Sequence, residues 1–176
     1  MEKPGPRGPL GNRGTVSTSR VAVERVVRCP FSVAHDYAED FLRDAAGGVE
    51  LHVPVRDFAP TRGGHLRQRV RLVAERLPDE HEHGRIHDAL EIHWIAGTRF
   101  FPEFRGVLRL RIESVEATRL TLKGTYQPPF GAPGRVFDLI VGRRIARATL
   151  SDLLRRLGDA MEQREAKFRA DDPAKT

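Results

Sequence analysis

Few residues in this chain combine a reactive group with a setting that could use it. Read as strand positions, Asp57, Gln68, Asp88 and Tyr126 fall on the apolar side of an alternating pattern, with the indole N–H of Trp94 beside them. A carboxyl there loses solvation, which disfavours its charged form and raises its pKa unless a partner stands close. Asp88 in that setting would serve as a weak general acid or orient a ligand hydroxyl, and Tyr126 would donate to a ligand carbonyl. Asp88 and Tyr126 are the two candidates for catalysis. Each residue also has a plainer alternative: Asp57 and Asp88 at strand ends in contact with water, and Tyr126 packing its ring with a wet hydroxyl.

Other reactive types lead nowhere sharp. His81, His83 and His87 lie near Glu80 and Glu82. Residues 79–84 read as a polar hairpin tip, however, and zinc sites usually draw ligands from fixed elements. No metal and no cofactor are expected. Cys29 has no nearby His in a nucleophile arrangement, and no Gly-rich loop follows a strand and opens a helix, which disfavours a hydrolase or a nucleotide enzyme. As the only cysteine, Cys29 forms no internal bridge and supports no oxidising compartment, so the cytoplasm is expected. No run approaches the roughly 20 apolar residues of a membrane helix, and residues 1–10 carry Pro and Gly where a signal peptide is apolar.

Thirty Lys and Arg against 24 acidic residues give a net charge of +6, nearly all of it from Arg. The Arg residues are spread over the chain, and aromatics make up only 7%, thin for base-stacking platforms, so no specific nucleic-acid site is expected. A basic face of Arg67, Arg69, Arg71, Arg109 and Arg111 remains as a lesser alternative, an interaction module for an acidic protein, RNA or membrane.

The elements that must position these residues follow from periodicity. Residues 1–18 are Gly- and Pro-rich without apolar spacing, a disordered leader; residues 19–168 are one domain and 169–176 a flexible tail. A strand is predicted over 20–28 from Val21, Val23 and the Val26-Val27 pair. Cys29-Pro30 stops it, Ser32 stands as cap, and Val33, Tyr37 and Phe41 with Ala34, Ala38 and Leu42 predict a short helix or helical pair ended by Gly47-Gly48. From Val49 the period becomes two for about eighty residues. Strands around Val49–Val55, Val70–Ala74, Ile86–Trp94, Phe104–Ile112 and Leu120–Tyr126 are each apolar on one side, an antiparallel meander with one covered face. Turn signals fall at Arg62-Gly63-Gly64, Pro78-Asp79, Gly97-Thr98 and Glu116-Ala117-Thr118. Gly106 and Gly124 lie on the inner face of neighbouring strands and permit a bend or close approach. One long helix over 135–168, with a bend near Gly142 or two abutting helices as alternatives, completes the chain.

The fold class is therefore α+β: a curved antiparallel sheet of six to seven strands wrapped on a long C-terminal helix. One helix about 10 Å wide cannot fill such a concavity, so a cavity for a small apolar molecule is expected. Trp94, Phe104, Phe137, Val141 and Ile145 would line it, with Gln68, Asp88 and Tyr126 as polar contacts, ordinary core being the alternative for the apolar set. Phe100-Phe101-Pro102 and Phe130 sit in loops, as lids or contact groups.

This order of elements resembles the helix-grip fold of the START-like (SRPBCC) superfamily, of polyketide cyclase/dehydrase and lipid-transfer type. The resemblance spans about residues 20–166. It rests on the strand-Cys29-Pro30-helix opening, on His93-Trp94-Ile95-Ala96-Gly97, on Phe101-Pro102-Glu103-Phe104-Arg105-Gly106, and on Phe137-Asp138-Leu139 with Gly142-Arg143-Arg144-Ile145-Ala146. These are fold markers, not a catalytic signature. The resemblance implies a binder of a lipid or polyketide-like molecule, with a cyclase or dehydratase acting on a bound polyketide as the alternative.

Overall fold

The computed structural model describes residues 19–54, 65–77, 88–95, 103–127 and 135–171. Asp57, the histidines at 81, 83 and 87, the loop phenylalanines at 100, 101 and 130, the predicted turns at 62–64, 78–79 and 97–98, and the leader lie outside the described residues.

Eight elements follow one another: β1 (Ser19–Val27), α1 (Phe31–Ala46), β2 (Val49–Pro54), β3 (His65–Arg76), β4 (Asp88–Ile95), β5 (Glu103–Ser114), β6 (Ala117–Gln127) and α2 (Arg135–Asp171). The six strands form one antiparallel sheet in the order β1-β6-β5-β4-β3-β2. β2 to β6 are the expected meander, and β1 closes the far edge against β6. Both edge strands approach α2 although four strands separate them, so the sheet curls around the helix. This is the helix-grip architecture. Among the described residues no helix is long and apolar enough to cross a membrane.

Alternation sets which side chains meet α2. Val21, Val23 and Val27 of β1, Leu90, Ile92 and Trp94 of β4, Phe104, Leu108 and Leu110 of β5, and Leu120, Leu122 and Tyr126 of β6 are all buried. Leu150, Leu153, Leu154, Leu157 and Met161 of α2 meet them at helical spacing.

Four expectations need correction. Of the two alternatives after β1, a short helix or a helical pair, the pair is set aside: α1 is one 16-residue helix, because Ala34, Ala38, Leu42 and Ala45 form an unbroken buried stripe. Its N-terminus is not capped by Ser32. Pro30 holds the cap position without a side-chain bond, and its carbonyl accepts from Val33 and Ala34 N–H at 3.2 and 3.0 Å. Val26 faces outward and is 44% exposed. The inward position is Arg25, which donates to the Arg155 carbonyl and Asp159 Oδ1, each at 2.7 Å, and so ties β1 to α2. Finally, residues 169–171, expected in the tail, continue α2, which is one helix through Asp171, held in its last turn by Arg169 donating to Glu165 Oε1 at 2.9 Å.

Beyond Val70, where the ladder to β2 stops, β3 runs on beside α1. Leu42 of α1 and Leu72 of β3 are both buried there, so the helix covers the strand edge that β2 leaves open.

Candidate functional site

Register assembles a row that no single strand contains. Leu72 stands opposite Trp94, Trp94 opposite Phe104, and Phe104 opposite Tyr126, all buried on the inner face. The Trp94 and Phe104 rings stack at 4.7 Å between centroids and 28° between planes. Next to them Gly106 and Gly124 face each other across β5 and β6. The Phe104 ring lies over this glycine pair: a Cβ at Gly106 would sit 2.5 Å from the ring and 2.9 Å from the Gly124 Cα. Two missing side chains thus make the room in which Phe104 lies down to meet Trp94.

Tyr126 ends the row. Its residue is fully buried, and among the described residues its hydroxyl oxygen has no hydrogen-bond partner. Burial pushes the hydroxyl well above its ordinary pKa, so it remains a neutral donor. The row is therefore buried and apolar, with one unspent polar group that acts as a donor in its neutral form.

Asp88 lies elsewhere. It stands opposite Leu110, whereas Tyr126 stands opposite Phe104; six residues of β5 separate the two levels, about 20 Å along the strand. The two catalytic candidates are not brought together. Asp88 instead belongs to a polar knot where α1 meets the sheet. Its Oδ1 is 3.5 Å from an Arg76 guanidinium nitrogen, and its Oδ2 is 3.4 Å from His35 Nδ1. That last contact is ion-pair close but too poorly aligned for a hydrogen bond. His35 Nε2 lies 2.8 Å from Glu39 Oε1. Asp88 thus has polar neighbours of its own, Arg76 and His35, and helps seat α1 on the sheet.

His35 was missed by sequence reasoning. Its i, i+4 spacing to Glu39 and its place beside the stripe residue Ala34 were the available signals; its nearness to Asp88 comes only from packing. Gln68 stands on β3 opposite Leu51, and Phe137, Val141 and Ile145 stand in the first turns of α2. The side chains of these four lie outside what is described, as does Asp57 entirely.

Cys29 is fully buried, and its thiol is pushed up to about 12, chiefly by burial and then by the charge of Glu165. A thiol so raised stays protonated at neutral pH, the less nucleophilic form. Among the described residues no group of three or more His, Cys, Asp or Glu is arranged to hold a metal ion.

No family model matches the chain, and no curated protein matches it. Two solved structures are similar. TTHA0849 from Thermus thermophilus is 18% identical with a TM-score of 0.48, over 81% of this chain and 97% of its own. The Zhui aromatase/cyclase from Streptomyces sp. R1128 is 15% identical with a TM-score of 0.41, over 88% of this chain and 96% of its own. Both likenesses concern the course of the chain and not the chemistry of either protein.

Proposed function

We propose that this protein binds a small apolar molecule, a lipid or polyketide-like compound bearing a hydrogen-bond acceptor, between the sheet and α2, without converting it. The observation that carries this reading is the Tyr126 hydroxyl, buried and without a partner among the described residues, at the end of the Trp94–Phe104 stack. A buried polar group left unsatisfied costs about 1–3 kcal/mol. A ligand carbonyl or ether oxygen beside Tyr126 would relieve that cost, while the stacked rings supply apolar surface. Binding without turnover is favoured because the hydroxyl stays protonated and the other candidate, Asp88, sits a sheet's length away among its own neighbours. The role is assigned to the cytoplasm, where a lone buried Cys29 stays reduced.

Native mass spectrometry of the purified protein, with solvent extraction of whatever accompanies it, tests the reading. A discrete apolar species is expected. Tyr126→Phe should weaken acceptor-bearing ligands by roughly three- to tenfold, the worth of one neutral hydrogen bond. An empty protein whose melting temperature ignores a panel of lipids and aromatic polyketides refutes binding. Conversion of a bound ligand, abolished by Tyr126→Phe in a folded protein, would assign a cyclase or dehydratase instead.

A further inference from the structure

Arginines across this fold are answered by carboxylates: Arg25 by Asp159, Arg119 by Glu113, Arg155 by Asp152 and Arg164 by Asp40. Three cations gathered at the β1 edge of the sheet are not. Arg20 of β1, Lys123 of β6 and Arg143 of α2 line one depression of about 450 Å³ together with Val21 and Gly124, and no carboxylate is among its lining residues. Among the described residues none of the three makes an ion pair or a side-chain hydrogen bond. We propose that Arg143 binds the carboxylate of the inner-face ligand, so that the protein selects an acid, such as a fatty acid or an acidic polyketide, over its neutral counterpart, a selectivity that rests on the proposed binding at Tyr126.

The depression adjoins the aromatic row. Gly124 belongs to both: the Phe104 ring lies over it, 2.7 Å from where a Cβ would stand, and it lines the depression. Tyr126 follows two residues later on the same face, about 7 Å along β6. Val21, opposite Gly124 on β1, is buried on that face too. Arg143 comes from α2, the helix that the sheet wraps, so the depression lies between the inner side of the sheet edge and the helix. A molecule lying along Trp94 and Phe104 would run out past Gly124 to Arg143.

Solvation decides which end of the ligand goes where. Arg20, Lys123 and Arg143 are exposed, whereas Trp94 and Phe104 are buried. A carboxylate carried to the aromatic row would lose its hydration at great cost; at Arg143 it keeps water on one side and meets a cation on the other. The planar fork of Arg143 matches the two carboxylate oxygens. Arg20 and Lys123 stand at positions that alternate to the outer face, so they add attraction at longer range, which salt screens.

The test titrates the full chain with cis-parinaric acid and with its methyl ester, following polyene emission excited through Trp94, the only tryptophan. The ester keeps the apolar chain and an acceptor oxygen for Tyr126 but lacks the charge. At low salt the acid is expected to bind roughly three- to tenfold more tightly than the ester. Arg143→Gln should bring the two to within about twofold by weakening the acid alone, whereas Tyr126→Phe should weaken both alike. Lys167→Gln removes an exposed cation from the far part of α2, about 36 Å along the helix from Arg143, and should leave the preference intact. Equal binding of acid and ester by the parent, an unchanged preference in Arg143→Gln, or an equal loss in Lys167→Gln overturns the assignment to Arg143 while binding at the inner face stands. Binding of neither probe overturns the inner-face reading and the selectivity with it.

Discussion

Replacing Gly106 by Ala adds a single methyl group, and its effect separates two physical terms of opposite sign. A glycine in a strand interior loses more backbone freedom on folding than an alanine does, so the substitution with space available would stabilise by about 0.5–1 kcal/mol. The space is not available. The new Cβ would overlap the Lys123 backbone carbonyl, the Phe104 ring at 2.5 Å and the Gly124 Cα at 2.9 Å. Two of these three neighbours are backbone of β6, which cannot rotate away. Overpacking of this kind costs roughly 1–3 kcal/mol, and displacing Phe104 from Trp94 forfeits about 0.5–1.5 kcal/mol of ring interaction. The net expectation is a loss of about 0.5–4 kcal/mol, or a fall of roughly 2–12 °C in melting temperature for a domain of this size. Trp94 is the only tryptophan, so its emission reports the same event locally and should change in the folded variant. Chemical denaturation followed by that emission measures both. A Gly106→Ala protein as stable as the parent, with unchanged emission, would show that Phe104 does not lie over the glycine pair.

Three further outcomes are expected. In ligand-free protein Tyr126→Phe removes an unsatisfied hydroxyl and should leave the melting temperature unchanged or raised by the equivalent of about 1 kcal/mol; a clear drop in differential scanning calorimetry would mean the hydroxyl has a partner. Cys29, pushed up to about 12 by burial and by Glu165, should resist a thiol-reactive disulfide at pH 8 and react once the chain is unfolded, and rapid native labelling would contradict its burial. The carboxyls of Asp40, Glu113 and Asp152 all titrate below their ordinary values. Arg164 acts on Asp40 and Arg119 on Glu113, while at Asp152 burial pushes upward but Arg155 and Arg156 outweigh it. Because these folded values lie below the unfolded ones, their stabilisation is complete at neutral pH and is lost as pH falls below about 4. Melting curves from pH 7 to 2.5 should bend downward there, less steeply in Asp152→Asn, and a stability that rises on acidification would reverse the sign.

Period-two alternation was enough to find the strands, because Leu90, Ile92 and Trp94 of β4, Phe104, Leu108 and Leu110 of β5, and Leu120, Leu122 and Tyr126 of β6 keep to the inner face. It failed locally in β1. The Val26-Val27 pair offers two apolar candidates for one inward place, and Arg25 breaks the pattern because its guanidinium reaches past the core to Asp159. Parity there is decided by the ladder to β6. The site was legible to the same degree. Trp94, Phe104 and Tyr126 could each be placed on the inner face, but their lying side by side depends on hairpin registers that residue types do not specify. Asp88 could be placed inward too. Its remoteness from Tyr126 and its contact with His35, 53 positions earlier, belong to the docking of α1, which no local pattern encodes.

The position of β1 in the sheet also orders events in time. Its ladder pairs Ser19 with Tyr126 and Val27 with Thr118, so the strand of this sheet that leaves the ribosome first is matched to the one made last. Until β6 has been synthesised, residues 19–27 have no strand to pair with. The β3–β6 meander, by contrast, assembles from sequence neighbours through short closures. Joining β1 to β6 closes a loop of about a hundred residues, whose entropic cost rises with the logarithm of its length and is met only when the core beneath it is ready to be buried.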